Sequence, residues 1–189
     1  MKSRHGLGGR MVQNQNKSMP ALRAWTSNTS EIGKRMGNQL ILDSCLLGLR
    51  CVASVLMIHH GLEKLADPSG FTQFIVDQYF SFLPFDHILW TYLAGYTQVI
   101  GSIALLLGVA SRPALIGLAS TMVFAMVFHG LDSGLEGAPF AVVEAHNYQY
   151  ETSALYLAIF VVLAVTGSGS LSIASLYRNA LPDWAKAWV

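Results

Sequence analysis

Apolar positions in this chain gather into four runs instead of alternating with polar ones. The cleanest is 88–110, ILWTYLAGYTQVIGSIALLLGVA, which carries no charge, and 114–131, ALIGLASTMVFAMVFHGL, holds His129 as its sole titratable group. Residues 40–62 are apolar but interrupted by Asp43 and Arg50. Residues 152–166, TSALYLAIFVVLAVT, fall short of a full span, so that helix is expected to begin near Tyr148 or Gln149 and to take in Glu151. A backbone crossing hydrocarbon must satisfy its own hydrogen bonds, which a helix of about 20 apolar residues does. The pattern therefore predicts an all-α fold, a four-transmembrane-helix bundle. Pro68-Ser69-Gly70 closes helix 1 by turn chemistry, and Pro113 opens helix 3 where a missing N–H does no harm. Between helices 1 and 2, FTQFIVDQYFSF sets Phe71, Phe74, Ile75, Tyr79 and Phe82 on one helical face, with Gln73 and Asp77 opposite. A short helix of that kind lies in the membrane interface or folds back over the bundle as a lid.

Composition supports the membrane class. Of the 189 residues 52% are hydrophobic and only 12% charged, against about one quarter charged in an ordinary soluble domain. The net charge of +1 conceals an asymmetry. Lys2, Arg4, Arg10, Lys17, Arg23, Lys34 and Arg35 precede helix 1, Arg112 lies in the tight 2–3 turn, and Arg178 and Lys186 follow helix 4. The 1–2 and 3–4 connections hold Lys64 among Glu63, Asp67, Asp77, Asp86, Asp132, Glu136 and Glu144. Basic residues stay on the cytoplasmic side of short loops, so both termini are expected to be cytoplasmic and the two longer loops to face out.

The expected organisation is a basic polar tail over 1–38, a membrane domain over 39–168, and an interfacial segment over 169–189 anchored by Trp184 and Trp188. The tail reads as a plain cytoplasmic extension in preference to an organellar transit segment, and no secretory h-region precedes helix 1. The expected location is a bacterial plasma membrane or a thylakoid-type membrane. The lipid bilayer is the first partner implied, and the charge balance offers no basis for a nucleic-acid partner. Cys45 and Cys51 lie on one helix, about 120° and about 9 Å apart, and cannot pair without unwinding it.

Depth along each helix sorts the polar side chains. His60 against a helix end at 62, His129 against an end at 131 and Glu151 against a start near 149 fall in one outer layer, with Glu63 and Lys64 just above and Glu144 and His146 close by. Arg50, Gln98, Ser120 and Thr121 form a deeper layer. A guanidinium there costs at least about 2.5–3.5 kcal/mol unless it turns inward to partners. Arg50 is therefore expected inside the bundle, paired with Gln98 or an upper-layer carboxylate because Asp43 lies about 10 Å lower.

Charged and aromatic residues also crowd helix ends with no function, and that reading suits His59 and Glu63. His60 differs, because Gly61 admits a neighbouring helix and because His129 and Glu151 match its depth. Ionisable groups inside a membrane are functional candidates by default.

The motifs LGLR (47–50), HGLEKL (60–65), LLLGVASR (105–112), FHG (128–130), YETSALYL (150–157) and GSGSLS (167–172), in this order over four spans, resemble the DoxX family of small four-helix membrane proteins. The resemblance runs from about residue 40 to 176. The chain departs from it at Gln98, where relatives often carry glutamate, and at Ala174, where an aspartate often closes the last motif. The first departure removes an acid partner for Arg50 on helix 2. The resemblance implies association with quinol oxidase or quinone oxidoreductase complexes, and speaks more to fold than to reaction.

Two functions of different class follow. In the first, the chain is a subunit linked to quinone redox chemistry. A quinone ring sits just inside the interface and needs hydrogen-bond donors, a base and apolar walls. His60, His129 and Glu151 would serve as the proton-handling groups, and Arg50, Lys64, Gln98, Tyr150 and Tyr156 would line the ring site. In the second, the chain is a non-catalytic accessory or assembly subunit of a larger membrane complex. It carries no dinucleotide fingerprint, iron–sulfur ligand set or redox dithiol, and small residues on helices 2 and 3 permit close contacts. Other membrane or redox subunits are the implied protein partners. A bis-histidine haem between His60 and His129 is disfavoured. So is a metal site from His60, His129, Glu144, His146 and Glu151, because the Glu-x-x-His spacing of di-iron bundles is absent.

Overall fold

The computed structural model describes residues 8–134, 149–186 and 188, with side chains described from residue 31 onward. Among the described residues all regular structure is helical. The long helices are α1 (Gly8–Ala66), α2 (His87–Leu107), α3 (Ser111–Asp132) and α4 (Gln149–Thr166). Four described segments are long and apolar enough to cross a membrane: Glu31–Ala66 within α1, and the whole of α2, α3 and α4. Two compact units divide the chain, Met1–Leu42 and Asp43–Val189. In the first, residues 31–42 of α1 are exposed on every face, and Lys34 pairs with Glu31 at 3.3 Å.

The second unit has the polarity of a bundle in lipid. Val55, Leu93, Ile100, Ile116, Val123, Leu155 and Val165 point outward, while Ser54, Thr91, Gln98, Ser102, Ser111 and Ser153 are buried. Water would favour the reverse arrangement, whereas lipid tails solvate the outward face and leave polar groups to bond inside. The apolar core joins Leu46, Ala53 and Met57 of α1 to Leu105 of α2, Leu115, Leu118 and Met122 of α3, and Tyr156, Phe160 and Leu163 of α4. Buried Ser153, Tyr156, Phe160 and Leu163 follow the helical period along α4.

Close contacts set the helix spacing. A Cβ at Gly61 would lie 2.8 Å from both Gly95 O and Val99 Cγ2, so α1 and α2 meet nearly backbone to backbone. The α2–α3 turn closes on Gly108 at φ 68°, with Val109 N donating to Ala104 O at 2.9 Å and Gly108 N to Leu105 O at 3.0 Å, a left-handed helix end that favours glycine.

Arg50 is the main correction to the sequence reading. It is 1% exposed, as expected, but it does not pair with Gln98 or an upper-layer acid. Its guanidinium donates to Ser168 O and, at 2.6 Å, to Leu171 O. After α4 ends, the glycine-punctuated stretch 167–172 turns back beneath the bundle with Gly167 and Gly169 at positive φ, presenting carbonyls that no helix satisfies. Asp43, on the same face of α1, accepts from Ser170 N at 3.2 Å and from the Ser170 hydroxyl. Acid and base thus hold the two sides of one loop. Beyond it, Ser172 caps the helix Ile173–Tyr177, and Arg112 N in the first turn of α3 donates to Trp188 O at 3.4 Å.

The connection between α1 and α2 is helical over 68–79, with a π turn at Thr72–Val76. Its buried residues are Thr72, Val76 and Phe80, whereas Phe74 and Phe82, predicted on the packed face, are exposed. The four-residue recurrence is an ordinary helical stripe; it lies one position beyond the half-buried Phe71, Ile75 and Tyr79, so the inward face is the predicted one rotated by about 100°.

Candidate functional site

At the end of the bundle that carries the 68–79 connection, a cavity of about 790 Å³ opens among all four long helices and that connection. Trp90 and Gln98 both line it, as do Gly117 and His129. It therefore runs about 12 Å along α2 and about 18 Å along α3 at about 1.5 Å rise per residue. Its walls are aromatic and aliphatic, with Phe71, Ile75 and Phe80 from the connection, Phe124 and Phe128 from α3, and Tyr156 from α4.

The connection covers this space and is tied down at several points. Thr72 Oγ1 donates to Pro68 O at 2.7 Å, and since a carbonyl only accepts, the 2.7 Å contact with Thr91 Oγ1 has Thr91 as donor. Tyr79 donates to the Asp132 carboxylate at the end of α3, and His87 Nδ1 lies 2.6 Å from Asp77 Oδ1. The Tyr79 hydroxyl is raised above its ordinary pKa, first by that bond to Asp132 and then by burial. Edge-to-face contacts of Phe80 with Phe124 at 5.4 Å and of Tyr79 with Phe128 at 5.1 Å add to the closure.

Among the polar residues that line the cavity, His60, Lys64, His129 and Gln98 matter most to its chemistry. His60 stands edge-on to Tyr156 at 6.1 Å, with its Nδ1 3.7 Å from Glu63 one turn away. Lys64 Nζ donates to His60 O at 3.1 Å and lies 4.9 Å over the Phe71 ring, which gives the ammonium a cation–π partner. His129, beside Phe128 at 5.0 Å, has a buried Nδ1 with no partner. Gln98, 2% exposed, donates from Nε2 to Thr121 Oγ1 at 3.3 Å, while its Oε1 is buried without a partner. Gln98 and Thr121 do share a depth on α2 and α3.

Of the residues singled out from sequence, His60, Lys64, Gln98, His129 and Tyr156 are brought to this one cavity. Arg50 is not among its lining residues and belongs to the 167–172 clamp. Glu151 is exposed and Tyr150 half-buried, and neither lines the space, although Gln149, Thr152 and Ser153 do. Helical phase gives the reason: Glu151 lies about 200° around α4 from Ser153, so matched depth did not imply a matched face. Glu144 and His146 fall outside the described residues. Sequence reasoning missed Thr72, Thr91 and Phe80; for Thr91 the available signal was a hydroxyl in an otherwise apolar span, which demands a partner.

Fold and cavity together define a four-span helical membrane protein with a largely apolar, ligand-sized chamber near one end of its bundle. Residues 45–130 match the model of the DoxX family, the family the motifs resemble, and the match includes the connection, α2 and nearly all of α3. No curated protein and no solved structure matches the chain.

Proposed function

We propose that this protein is an integral membrane subunit associated with quinone-linked redox chemistry, holding a quinone-type ring in the cavity while a partner redox subunit exchanges the electrons. The observation that carries the reading is the pairing of apolar aromatic walls with buried polar atoms left without protein partners, Gln98 Oε1 and His129 Nδ1, beside His60 and Lys64. Unpartnered polar atoms in a water-poor site are disfavoured unless a ligand or an ordered water completes them. A bound quinone would supply reversible two-electron, two-proton chemistry.

The chain's own residues supply the rest. Phe71, Phe80, Phe124 and Tyr156 pack the ring and exclude water. Lys64 donates to a ring oxygen near the cavity mouth. His60 and His129 exchange protons, a task for which imidazole is the common side chain. On this reading the cavity mouth faces outward, both termini are cytoplasmic, and the 68–79 connection rests at the interface of a bacterial plasma membrane or thylakoid-type membrane.

Organic extraction of the purified protein tests the proposal. Quinone near one equivalent, lost in His60→Ala together with partner turnover, supports it; its absence with no effect of His60→Ala defeats it. One observation favours the alternative of a non-catalytic accessory or assembly subunit. The Glu151 carboxylate, one of the three proton-handling groups expected from sequence, is not on the cavity wall. Under that reading the His60→Ala protein keeps full partner turnover and its complex still assembles.

A further inference from the structure

The cavity is covered at its outer end but open on its flank. The 68–79 connection closes over it, with Phe80 against Phe124 at 5.4 Å and Tyr79 bonded to Asp132. The exposed residues among its lining lie in two places: Gln149 and Thr152 at the start of α4, and Leu93, Ser120 and Phe124 in the cleft between α2 and α3. Leu93 is 58% exposed and Phe124 43%. The cleft has a floor. A Cβ at Gly117 would lie 2.9 Å from Thr97 Cγ2 and one at Gly101 3.3 Å from Leu118 Cγ, so α2 and α3 close on each other there. Thr97 lies about 15 Å along α2 from the covered end and Ser120 about 18 Å along α3 from the same end, against about 30 Å for a whole hydrocarbon core. The opening is therefore at the depth of lipid tails. Among the described residues no charged one lines this stretch, and Ser120 Oγ donates to Ile116 O at 2.8 Å.

From this we infer that the α2–α3 cleft is a lateral portal to the bilayer, and that the bound ligand keeps a hydrocarbon chain in it while its ring sits under the connection. The ligand class is then a ring bearing a long alkyl or isoprenoid chain, not a small water-borne ring. The inference rests on the quinone reading above and deepens it. Each methylene brought into water is disfavoured. A tailed ring leaving through the outer mouth would drag its chain through the interface, whereas the cleft keeps the chain in hydrocarbon throughout. The cavity also runs about 18 Å along α3, longer than a single ring, and so has room for the first part of the chain.

Two photoprobes read chain and ring separately in purified full-length protein in lipid nanodiscs. One is decyl benzoquinone with a diazirine midway along the chain; the other carries the diazirine on the ring. Labelled peptides are mapped by mass spectrometry with and without excess unmodified decyl benzoquinone. The chain probe should label residues within 93–97 and 117–124, and the competitor should remove most of that labelling. Ser120→Trp, which plugs the cleft from an exposed position, should remove it likewise, whereas Val165→Trp, on the outward face of α4, should not. Competed labelling at 149–152 or on another segment instead puts the chain elsewhere and overturns the inference while the quinone reading stands. Cleft labelling that the competitor or Ser120→Trp leaves unchanged marks a general lipid contact and overturns it equally. The ring probe should give competed labelling near His60, Phe71 and Tyr156 whichever way the chain runs; its absence removes the quinone reading, and this inference with it. Should Ser120→Trp fail to fold, the wild-type map and its competition still decide.

Discussion

Replacing Arg50 by leucine removes two charge-assisted hydrogen bonds, to Ser168 O and Leu171 O, from a side chain that is 1% exposed. Each such bond contributes about 1.5–3 kcal/mol. Against that loss, leucine abolishes the burden of a guanidinium in an apolar bundle, about 2.5–3.5 kcal/mol on insertion scales. The two carbonyls left behind have no helix to satisfy them, which tips the balance to a net destabilisation of about 2 kcal/mol. For a chain of this size each kcal/mol moves the melting temperature by about 2–4 °C, so Arg50→Leu should insert normally and melt about 4–8 °C lower in detergent. The assay is thermal unfolding followed by size-exclusion recovery, paired with hydrogen exchange at Ser170 and Ser175. Both amides should exchange faster in the variant because the 167–172 loop has lost one of its two anchors. Arg50→Lys, with a single ammonium in place of a planar fork, should recover part of the loss. If Arg50→Leu melts within about 1 °C of the wild type, the clamp contributes nothing and the account of this buried charge is wrong.

Other consequences are open to measurement. Thr72→Val deletes both bonds of a relay and strands the Thr91 donor, whereas Thr91→Val leaves the Thr72–Pro68 bond intact; the first should destabilise by about 2 kcal/mol and the second by about 1, read by detergent melts. Gly61→Ala introduces a Cβ 2.8 Å from Gly95 O and should cost about 1–3 kcal/mol by forcing α1 and α2 apart. Tyr79 has its pKa raised, chiefly by Asp132. The stability that bond lends is fully present below the unfolded value of about 10 and is lost as pH rises through the higher folded value. Wild type should therefore melt above Tyr79→Phe at pH 8, with the gap closing in strong alkali; a gap constant with pH would refute the assignment.

What the sequence by itself determined is what depends on local composition. Runs of apolar residues long enough to span hydrocarbon admit helix alone, so span number, span positions and the inward placement of Arg50 were legible without coordinates. Deep Gln98 could also be matched to Thr121, because both lie in uninterrupted helices where residue count converts directly into depth. What only the tertiary structure decided is rotation and distant partnership. Glu151 shares a depth with His60 and His129 but points elsewhere, since depth says nothing of azimuth. The buried stripe of the connection falls on Thr72, Val76 and Phe80, one position beyond the predicted Phe71, Ile75 and Tyr79. The partners of Arg50 lie in a glycine-rich loop more than a hundred residues away in sequence. Helical phase is a local property with a fixed period, but which side of a helix meets which neighbour depends on packing all the spans at once, and that is a property of the assembled bundle.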